Sequence, residues 1–200
     1  EDPERVAEVI ATMVTERIPK RFRFDPMTDI QVLAPMNRGV CGAIGLNQLL
    51  QRRLNGRSER KFSVGERLFR VNDRVMQVVN NYDKGVFNGE LGRIIDVDTV
   101  GKRFKVMFDD GVIDYEWGES DQIKLAYAVT VHKSQGSEFP VVIIPVLTQH
   151  YVMLQRNLIY TGMTRARRLL ILVGTRKALA IAIHNSKTAR RFTRLGERLR

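Results

Sequence analysis

The chain has 200 residues, of which 44% are apolar and 28% are charged, a composition typical of an ordinary globular protein. No apolar run approaches the roughly 20 residues that a membrane span requires, and the single cysteine excludes an internal disulfide and a cysteine-based zinc site. The whole chain has a formal net charge of +11, and all of it comes from residues 139–200, which contain 12 Lys and Arg and one acidic residue. Two explanations of this positive charge are equally open: binding of a polyanionic partner, or solubility of the protein.

The first 60 residues show the alternation of helix and strand that is typical of an α/β fold. Asp2-Pro3 is a favourable helix start, and the apolar residues after it recur at helical spacing: Val6, Val9, Ile10, Met13 and Val14. The apolar run Ile30–Ala34, closed by Pro35, predicts a buried strand. After a loop over 36–42, four leucines mark a second helix: Leu46, Leu49, Leu50 and Leu54.

From about Phe62 the pattern changes to short strands separated by turn residues, which predicts a small SH3-like or OB-like barrel. The predicted strands cover residues 74–80, 91–97, 103–108 and 112–117. We expect a type I′ turn at Asp110-Gly111 to place six side chains on one face in three facing pairs: Phe108 with Ile113, Val106 with Tyr115, and Phe104 with Trp117. Lys105 would then face Glu116 on the other side.

The alternation of helix and strand resumes after Leu125. Apolar runs predict buried strands at Phe139–Val146 and Leu169–Val173, and a helix is expected over 177–183. Another helix is marked by Tyr151, Leu154 and Leu158. The chain is therefore predicted to be an α/β domain, formed by residues 1–61 and 125–200, that is interrupted by a barrel over 62–124.

Two polar segments adjoin the predicted strands of the α/β part. In the first, Gly136 allows the backbone to approach a phosphate, and Glu138 could accept a hydrogen bond from a ribose hydroxyl. Three alternating residues there could reach nucleic-acid phosphates: Thr130, His132 and Ser134. In the second, Arg165 could reach a γ-phosphate across a domain interface. Taken singly, these residues are more typical of a solvated loop, and of arginines at a helix C-terminus, than of a nucleotide or nucleic-acid site.

Several segments together carry a family resemblance. Ala128–Phe139 and Asn157–Arg167 resemble motifs V and VI of superfamily-one helicases, and Gln31–Gly39 resembles their motif IV. The barrel region is similar to that of the RecD-like DNA helicases, the exonuclease V alpha subunit and its stand-alone relatives, in three segments: 72–77, 80–84 and 86–92. The resemblance covers nearly all of the chain.

The resemblance implies an ATP-dependent motor that moves 5′ to 3′ along single-stranded DNA in repair or recombination. This chain would be its second RecA-like motor domain, with a parallel sheet, interrupted by an SH3-like barrel. Arg165 would contact the γ-phosphate and act with Gln135 in catalysis. Three further residues would contact the nucleotide: Gly136, Glu138 and Arg38.

The same resemblance implies a second set of contacts, to single-stranded DNA. The residues concerned are Thr130, His132, Lys133 and Asn88. Lys133 and Gln135 would also help to couple the strand to the nucleotide. By itself, Asn88-Gly89 is more typical of a tight turn than of a DNA contact. No residue of the chain is expected to be a metal ligand.

ATP with Mg²⁺ is the implied cofactor, yet the sequence contains no Gly-x-x-x-x-Gly-Lys-Ser/Thr phosphate loop. Because the chain also begins Glu1-Asp2-Pro3 without a methionine, we expect a fragment that hydrolyses no ATP by itself. Its partners would be an N-terminal motor domain of the same protein, which supplies the Mg²⁺ ligands, single-stranded DNA, and the subunits of an exonuclease V complex. We expect no membrane partner and a cytoplasmic location.

Two alternatives stay open at this point. The helicase region of a conjugative relaxase shares these motifs, and only sequence N-terminal to the chain would separate the two. A binding module, in which the barrel is an adaptor for protein or nucleic acid, would have no motor activity. The presence together of Gln135, Gly136, Glu138 and Arg165 favours the motor.

Overall fold

The computed structural model describes residues 2–185, except for the side chains of Tyr151 and Val152, so the last part of the predicted 125–200 segment lies outside it. The α-helices in this range are α1 (Pro3–Thr12), α2 (Ile18–Phe22), α3 (Ala43–Asn55), α4 (Arg156–Met163) and α5 (Arg176–His184). The strands are β1 (Ile30–Ala34), β2 (Lys61–Val64), β3 (Arg67–Arg70), β4 (Arg74–Gln77), β5 (Leu91–Asp98), β6 (Arg103–Phe108), β7 (Gly111–Glu116), β8 (Ile123–Leu125), β9 (Ala128–Thr130), β10 (Phe139–Val146) and β11 (Ala166–Gly174). Among the helices of residues 2–185, none has the length and apolar character needed to cross a membrane.

Helix α1 begins where the sequence predicts it. The Asp2 carboxylate accepts hydrogen bonds from the backbone N–H groups of Glu4 and Arg5, at 3.0 and 3.3 Å, and Pro3 occupies the first turn. These contacts satisfy N–H groups that have no partner inside the helix. A π-helical segment, Met13–Arg17, then continues α1 into α2.

A parallel sheet of four strands forms the α/β part, in the order β11-β10-β1-β9. Every residue of β1 is buried, and β10 is buried throughout except at Pro140. Helices α1 and α3 pack on one face of the sheet, and α4 and α5 pack on the other. Parallel strands that are covered on both faces appear in the sequence as continuous apolar runs. The predicted α/β fold with a parallel sheet is confirmed.

Residues 61–125 form an antiparallel unit, which we call the barrel module. Its larger sheet has the order β7-β6-β5-β4-β8, and β2 pairs with β3 in a separate hairpin. Alternate residues of β6 are buried, as expected when one face of a strand covers a core. Phe62 of the hairpin stacks on the rings of Phe104 and Trp117, at centroid distances of 4.8 and 5.3 Å. These contacts join the hairpin to the larger sheet around one aromatic core.

The β6–β7 hairpin forms, but its predicted register is wrong by two residues. The observed pairs are Phe108 with Gly111, Val106 with Ile113, and Phe104 with Tyr115. A type I′ turn at Asp110-Gly111 would need a positive φ at both residues, and of the two only the glycine has one, at 139°. The loop is therefore Asp109-Asp110, and Lys105 meets Asp114 at 3.9 Å instead of Glu116. The aromatic residues keep their face because a shift of two residues preserves the alternation.

The single helix predicted from Tyr151, Leu154 and Leu158 is also wrong. Thr148–Met153 is a 3-10 helix, and α4 begins only at Arg156. Leu154 is fully buried between the two elements. The apolar spacing there reflects burial of the chain and not one continuous helix.

A buried polar seam joins the barrel module to the α/β part. Asp73 is fully buried at the start of β4, and burial raises its pKa, while hydrogen bonds from Asn55 and Gln51 oppose that change. Its carboxylate accepts hydrogen bonds of 2.6 to 2.9 Å from the side chains of Gln51, Asn55 and Tyr127 and from the backbone N–H of Arg70. The next residue, Arg74, donates to the carbonyl oxygen of Ile30 at 3.0 Å. Contacts from α3, β1 and the β8–β9 connection therefore hold the module in place.

Candidate functional site

The strand register places the predicted site residues at two opposite edges of the parallel sheet. Ala34 pairs with Thr130 where β1 and β9 end, whereas Phe139 pairs with Ala166 where β10 and β11 begin. Strand β1 lies between β9 and β10. Its end at Ala34 pairs with Thr130 on one side, and the pairing on the other side continues to Pro145, so Thr130 and Pro145 lie at the same level of the sheet. At about 3.3 Å per residue, the two edges are about 20 Å apart. We call them the carboxyl edge and the amino edge.

One segment, residues 131–138, runs from the carboxyl edge to the amino edge, since consecutive parallel strands require such a crossover. It begins with the 3-10 helix Val131–Ser134 and reaches β10 through Gly136, whose φ of +85° favours glycine. Its exposed residues are His132, Lys133, Gln135, Gly136 and Glu138. Ser134 is buried, and its hydroxyl donates to the carbonyl oxygen of Val131 at 2.7 Å. Ser134 is therefore not available for the phosphate contact expected from its spacing.

Arg165 lies at the amino edge, between the end of α4 and the start of β11. Its Nη1 donates to the carbonyl oxygen of Ser137 at 3.2 Å and its Nε to that of Thr161 at 3.3 Å, while Nη2 donates to Thr164 Oγ1 at 3.1 Å. A guanidinium carries five N–H donors, so two remain for a ligand. The side chain is oriented by the protein and still able to bind a phosphate oxygen.

Glu138 shares the amino edge with Arg165 but is paired with a different arginine. Arg167 Nε donates to Glu138 Oε2 at 2.8 Å, and both side chains are largely exposed. Sequence reasoning missed Arg167, because nothing in Arg165-Ala166-Arg167-Arg168 distinguishes one arginine from the next. The pairing of Phe139 with Ala166 decides which of them reaches the carboxylate.

A cleft of about 240 Å³ separates the 131–138 segment from α4 and the chain before it. Its lining includes five polar residues: His132, Gln135, Gln155, Asn157 and Thr161. Thr161 is also the residue whose carbonyl oxygen accepts from Arg165. Helix α4 therefore links the cleft beside Gln135 to Arg165. Asn157 and Thr161 lie in the segment that resembles motif VI, but the sequence assigned neither of them a place in the site.

The carboxyl edge carries Thr130, His132 and Lys133. Thr130 is only 8% exposed, whereas the other two side chains are open to solvent. Lys133 is still partly desolvated by its neighbours, which lowers its pKa, and the nearby Lys124 of β8 lowers that pKa further. Neither lysine has an acidic partner among residues 2–185. Lys124 belongs to none of the motifs found in the sequence, and only the fold brings it near Lys133.

The register does not bring Arg38 together with Glu138 and Arg165. Arg38 is exposed in the loop that follows β1, at the carboxyl edge. Arg38 is therefore separated from the other residues predicted to contact the nucleotide, because a loop after β1 and a loop before β10 lie at opposite ends of a parallel sheet.

Asn88 lies in the barrel module, in a loop between β4 and β5. Its backbone N–H donates to Asn80 Oδ1 at 2.9 Å, and the residue is exposed. Gly89 follows with a φ of 102°, and its N–H donates to the carbonyl oxygen of Gln77 at 2.9 Å. The Asn-Gly pair thus forms a tight turn and also leaves the Asn88 side chain at the surface.

The amino edge fits the phosphate and ribose parts of a nucleotide in three respects. Arg165 has donors to spare, and Glu138 has one oxygen that Arg167 does not occupy. A Cβ built at Gly136 would meet no atom within 4 Å, so the backbone there is open. No group of three His, Cys, Asp or Glu able to hold a metal ion occurs within residues 2–185.

Two family models match the chain. Residues 46–108 match the SH3 domain of ATP-dependent RecD-like DNA helicases, and residues 125–173 match the UvrD-like helicase C-terminal domain. An ATP-dependent RecD2 DNA helicase from Deinococcus radiodurans is 39% identical over 172 residues, which is 86% of this chain. The chain belongs to the RecD-like helicases. It spans about a quarter of the length of the curated relatives it matches, 23% in the Deinococcus protein.

More distant members and neighbours agree with this family. The RecD subunit of the RecBCD enzyme from Buchnera aphidicola (subsp. Schizaphis graminum) is 26% identical over 74% of this RecD-like chain and 25% of that protein. A structure of two coordinating Pif1 helicases unwinding forked DNA has 20% identity and a TM-score of 0.52, covering 86% of this chain and 47% of that one. Bacteroides Pif1 with ADP-AlF3 and single-stranded DNA has 20% identity and a TM-score of 0.51, covering 83% and 44%. At this identity the Pif1 structures show the shared fold.

Proposed function

We propose that this chain is the second motor domain of an ATP-dependent DNA helicase that moves 5′ to 3′ along single-stranded DNA in repair or recombination. In this proposal residues 1–61 and 125–200 form the RecA-like domain, and residues 62–124 form the inserted SH3-like barrel. One observation carries the proposal: the segment 131–138 joins an edge with Thr130 and His132 to an edge with Arg165. Because this short segment contacts both edges, a movement at the nucleotide edge can be transmitted to the edge that binds DNA.

We assign the nucleotide contacts to the amino edge. Arg165 offers two N–H donors to a γ-phosphate, where an arginine stabilises the charge of the transition state. Glu138 accepts from a ribose hydroxyl, and the open backbone at Gly136 lets a phosphate approach. ATP with Mg²⁺, when bound, supplies the phosphoryl group whose release drives the motor. An N-terminal motor domain of the same protein closes the site and contributes the phosphate loop and the Mg²⁺ ligands.

We assign the strand contacts to the carboxyl edge. Thr130, His132 and Lys133 face phosphates there, and cationic side chains favour binding because each neutralised phosphate releases counterions. Arg38 joins this set, because its loop lies at the same edge, and Asn88 contributes from the barrel module. Gln135 couples the two sites through the cleft that it shares with α4.

The proposal also concerns the protein partners, and two alternative functions compete with it. Nuclease and helicase subunits of an exonuclease V complex are candidate partners, and the DNA substrate would place the protein in the cytoplasm. The helicase region of a conjugative relaxase would use the same two edges. A barrel adaptor without motor activity would use neither, and the preserved donors of Arg165 favour the motor.

The proposal is tested with the protein that contains both motor domains. It should unwind a duplex with a 5′ single-stranded overhang in the presence of ATP and Mg²⁺, and leave a duplex with a 3′ overhang intact. Release of a fluorescent strand from its quencher measures this. Unwinding of only the 3′ substrate would overturn the direction, and absence of DNA-stimulated ATP hydrolysis would overturn the motor in favour of the adaptor.

A further inference from the structure

Two aromatic rings stand exposed on the barrel module, outside its aromatic core. Tyr82 is 77% exposed and Phe87 is 44% exposed. Their ring centroids are 5.8 Å apart in an edge-to-face arrangement, a geometry that aromatic pairs prefer. Both rings belong to the connection between β4 and β5, residues 78–90, which we call the aromatic loop.

The aromatic loop is held in shape by its own hydrogen bonds. Asn81 and Val86 exchange two backbone hydrogen bonds, of 2.8 and 3.1 Å, and the N–H of Asn88 donates to Asn80 Oδ1 at 2.9 Å. Lys84 anchors the tip to the rest of the module through Glu119, at 2.6 Å. A ligand that meets the two rings would therefore have little loop to order, which lowers the entropic cost of binding.

The two ends of the aromatic loop adjoin the apolar cluster that also contains Val131 of the carboxyl edge. Met76, at the end of β4, and Leu91, at the start of β5, pack in the same cluster as Val131. Lys124 pairs with Met76 in the β4–β8 ladder, and its side chain therefore points to the same face of the sheet as that of Met76. Lys124 thus lies on the strand next to the one that leads into the aromatic loop, and it is close enough to Lys133 to lower the pKa of that lysine.

We propose that Tyr82 and Phe87 form a base-stacking site for single-stranded DNA, which continues the carboxyl edge across Lys124. This inference rests on the proposed function and deepens it, because it names a part of the strand path outside the motor motifs. Aromatic side chains bind bases of any sequence through their π-faces, and cationic side chains beside them follow the phosphates. The two lysines favour a polyanion over an apolar peptide as the occupant.

The test measures binding of the 200-residue chain to fluorescein-labelled strands by anisotropy at low salt. One strand is oligothymidylate, and the other has the same length and charge but carries abasic sites in place of bases. The double substitution Tyr82→Ala, Phe87→Ala should weaken binding to oligothymidylate by about 5- to 100-fold and leave binding to the abasic strand within about twofold. Lys124→Ala should weaken binding to both strands and reduce the salt dependence.

Two further variants separate stacking from other effects. Phe22→Ala removes an aromatic ring of similar exposure, 48%, on α2 and should leave both affinities unchanged. Tyr82→Leu, Phe87→Leu keeps the apolar area and removes the rings, so it should behave like the alanine pair.

The outcomes are distinct. Full binding of oligothymidylate by the leucine pair, with loss only in the alanine pair, would overturn stacking and indicate a docking site for an apolar protein segment. An equal loss on both strands, or no loss, would also overturn the site while leaving the proposed function intact. Failure of the unmodified chain to bind either strand would overturn the strand-binding function itself.

Discussion

The backbone N–H of Phe139 donates a hydrogen bond of 2.8 Å to the carbonyl oxygen of Arg165. This bond joins the end of the 131–138 segment to the junction of α4 and β11. Glu138 and Arg165 consequently share one edge of the sheet, and Arg165 also donates to the carbonyl oxygen of Ser137 at 3.2 Å. A nucleotide bound at this edge would contact two segments that cannot move independently.

Replacing Arg165 by alanine in the protein with both motor domains should lower the kcat for ATP hydrolysis by roughly 10³-fold or more. Affinity for the nucleotide should change only a few-fold, because the lost interaction stabilises the transition state. Arg165→Lys should also be impaired, since lysine keeps the charge without the planar set of donors. Steady-state phosphate release and binding of a labelled nucleotide measure the two quantities.

Arg168→Ala is the matched control, because Arg168 is exposed on β11 three residues further along. It should retain nearly full turnover. If Arg165→Ala hydrolysed ATP at the normal rate, or if both variants lost activity equally, the assignment of Arg165 to the γ-phosphate would be wrong.

The 200-residue chain by itself should release no phosphate from ATP above background, with or without single-stranded DNA, because it contains no phosphate loop. A coupled phosphate assay with an oligothymidylate checks this. The same preparation must bind the labelled strand, which shows that it is folded. DNA-stimulated turnover by this chain would contradict the division of labour between two motor domains.

Asp73→Asn should destabilise the fold by about 2 to 4 kcal/mol. Both carboxylate oxygens accept hydrogen bonds from donors, and an asparagine NH₂ would face two of those donors without an acceptor. Urea unfolding followed by far-UV circular dichroism measures the change. Asp121→Asn, at an exposed position, should stay within about 0.5 kcal/mol; equal stability of the two variants would mean that the polar seam does not hold the barrel module.

Cys41 should be almost inert to dithionitrobenzoate in the folded chain at pH 8. The thiol is fully buried and donates to the carbonyl oxygen of Pro3, and burial raises its pKa to about 11, with Glu4 adding to the effect. Because the thiolate is the reactive form, the rate should be at least about 100-fold below that of the urea-unfolded chain, and it should rise with pH toward 11. Equal rates in the folded and unfolded chain would show that the loop carrying Arg38 opens freely.

Much of the local structure could be predicted from the sequence. The start of α1 follows from Asp2-Pro3, and the bounds of β1, β6 and β10 follow from apolar runs and alternation. The position of Arg165 just before a strand was also predicted, because the apolar run of β11 has a clear local pattern, whereas the start of the helix before it was not. The β6–β7 register was not, since two turns one residue apart are nearly equivalent in sequence and only backbone geometry separates them.

The amino-acid sequence by itself determined the family, the kinds of element and the residues that carry chemistry, because these depend on spacing along a short stretch of chain. Only the tertiary structure decided which of those residues share an edge. It placed Arg38 at the carboxyl edge, paired Glu138 with Arg167, and brought Lys124 near Lys133. The reason is that sheet order and register arise from packing between segments about 100 residues apart, which no local pattern records.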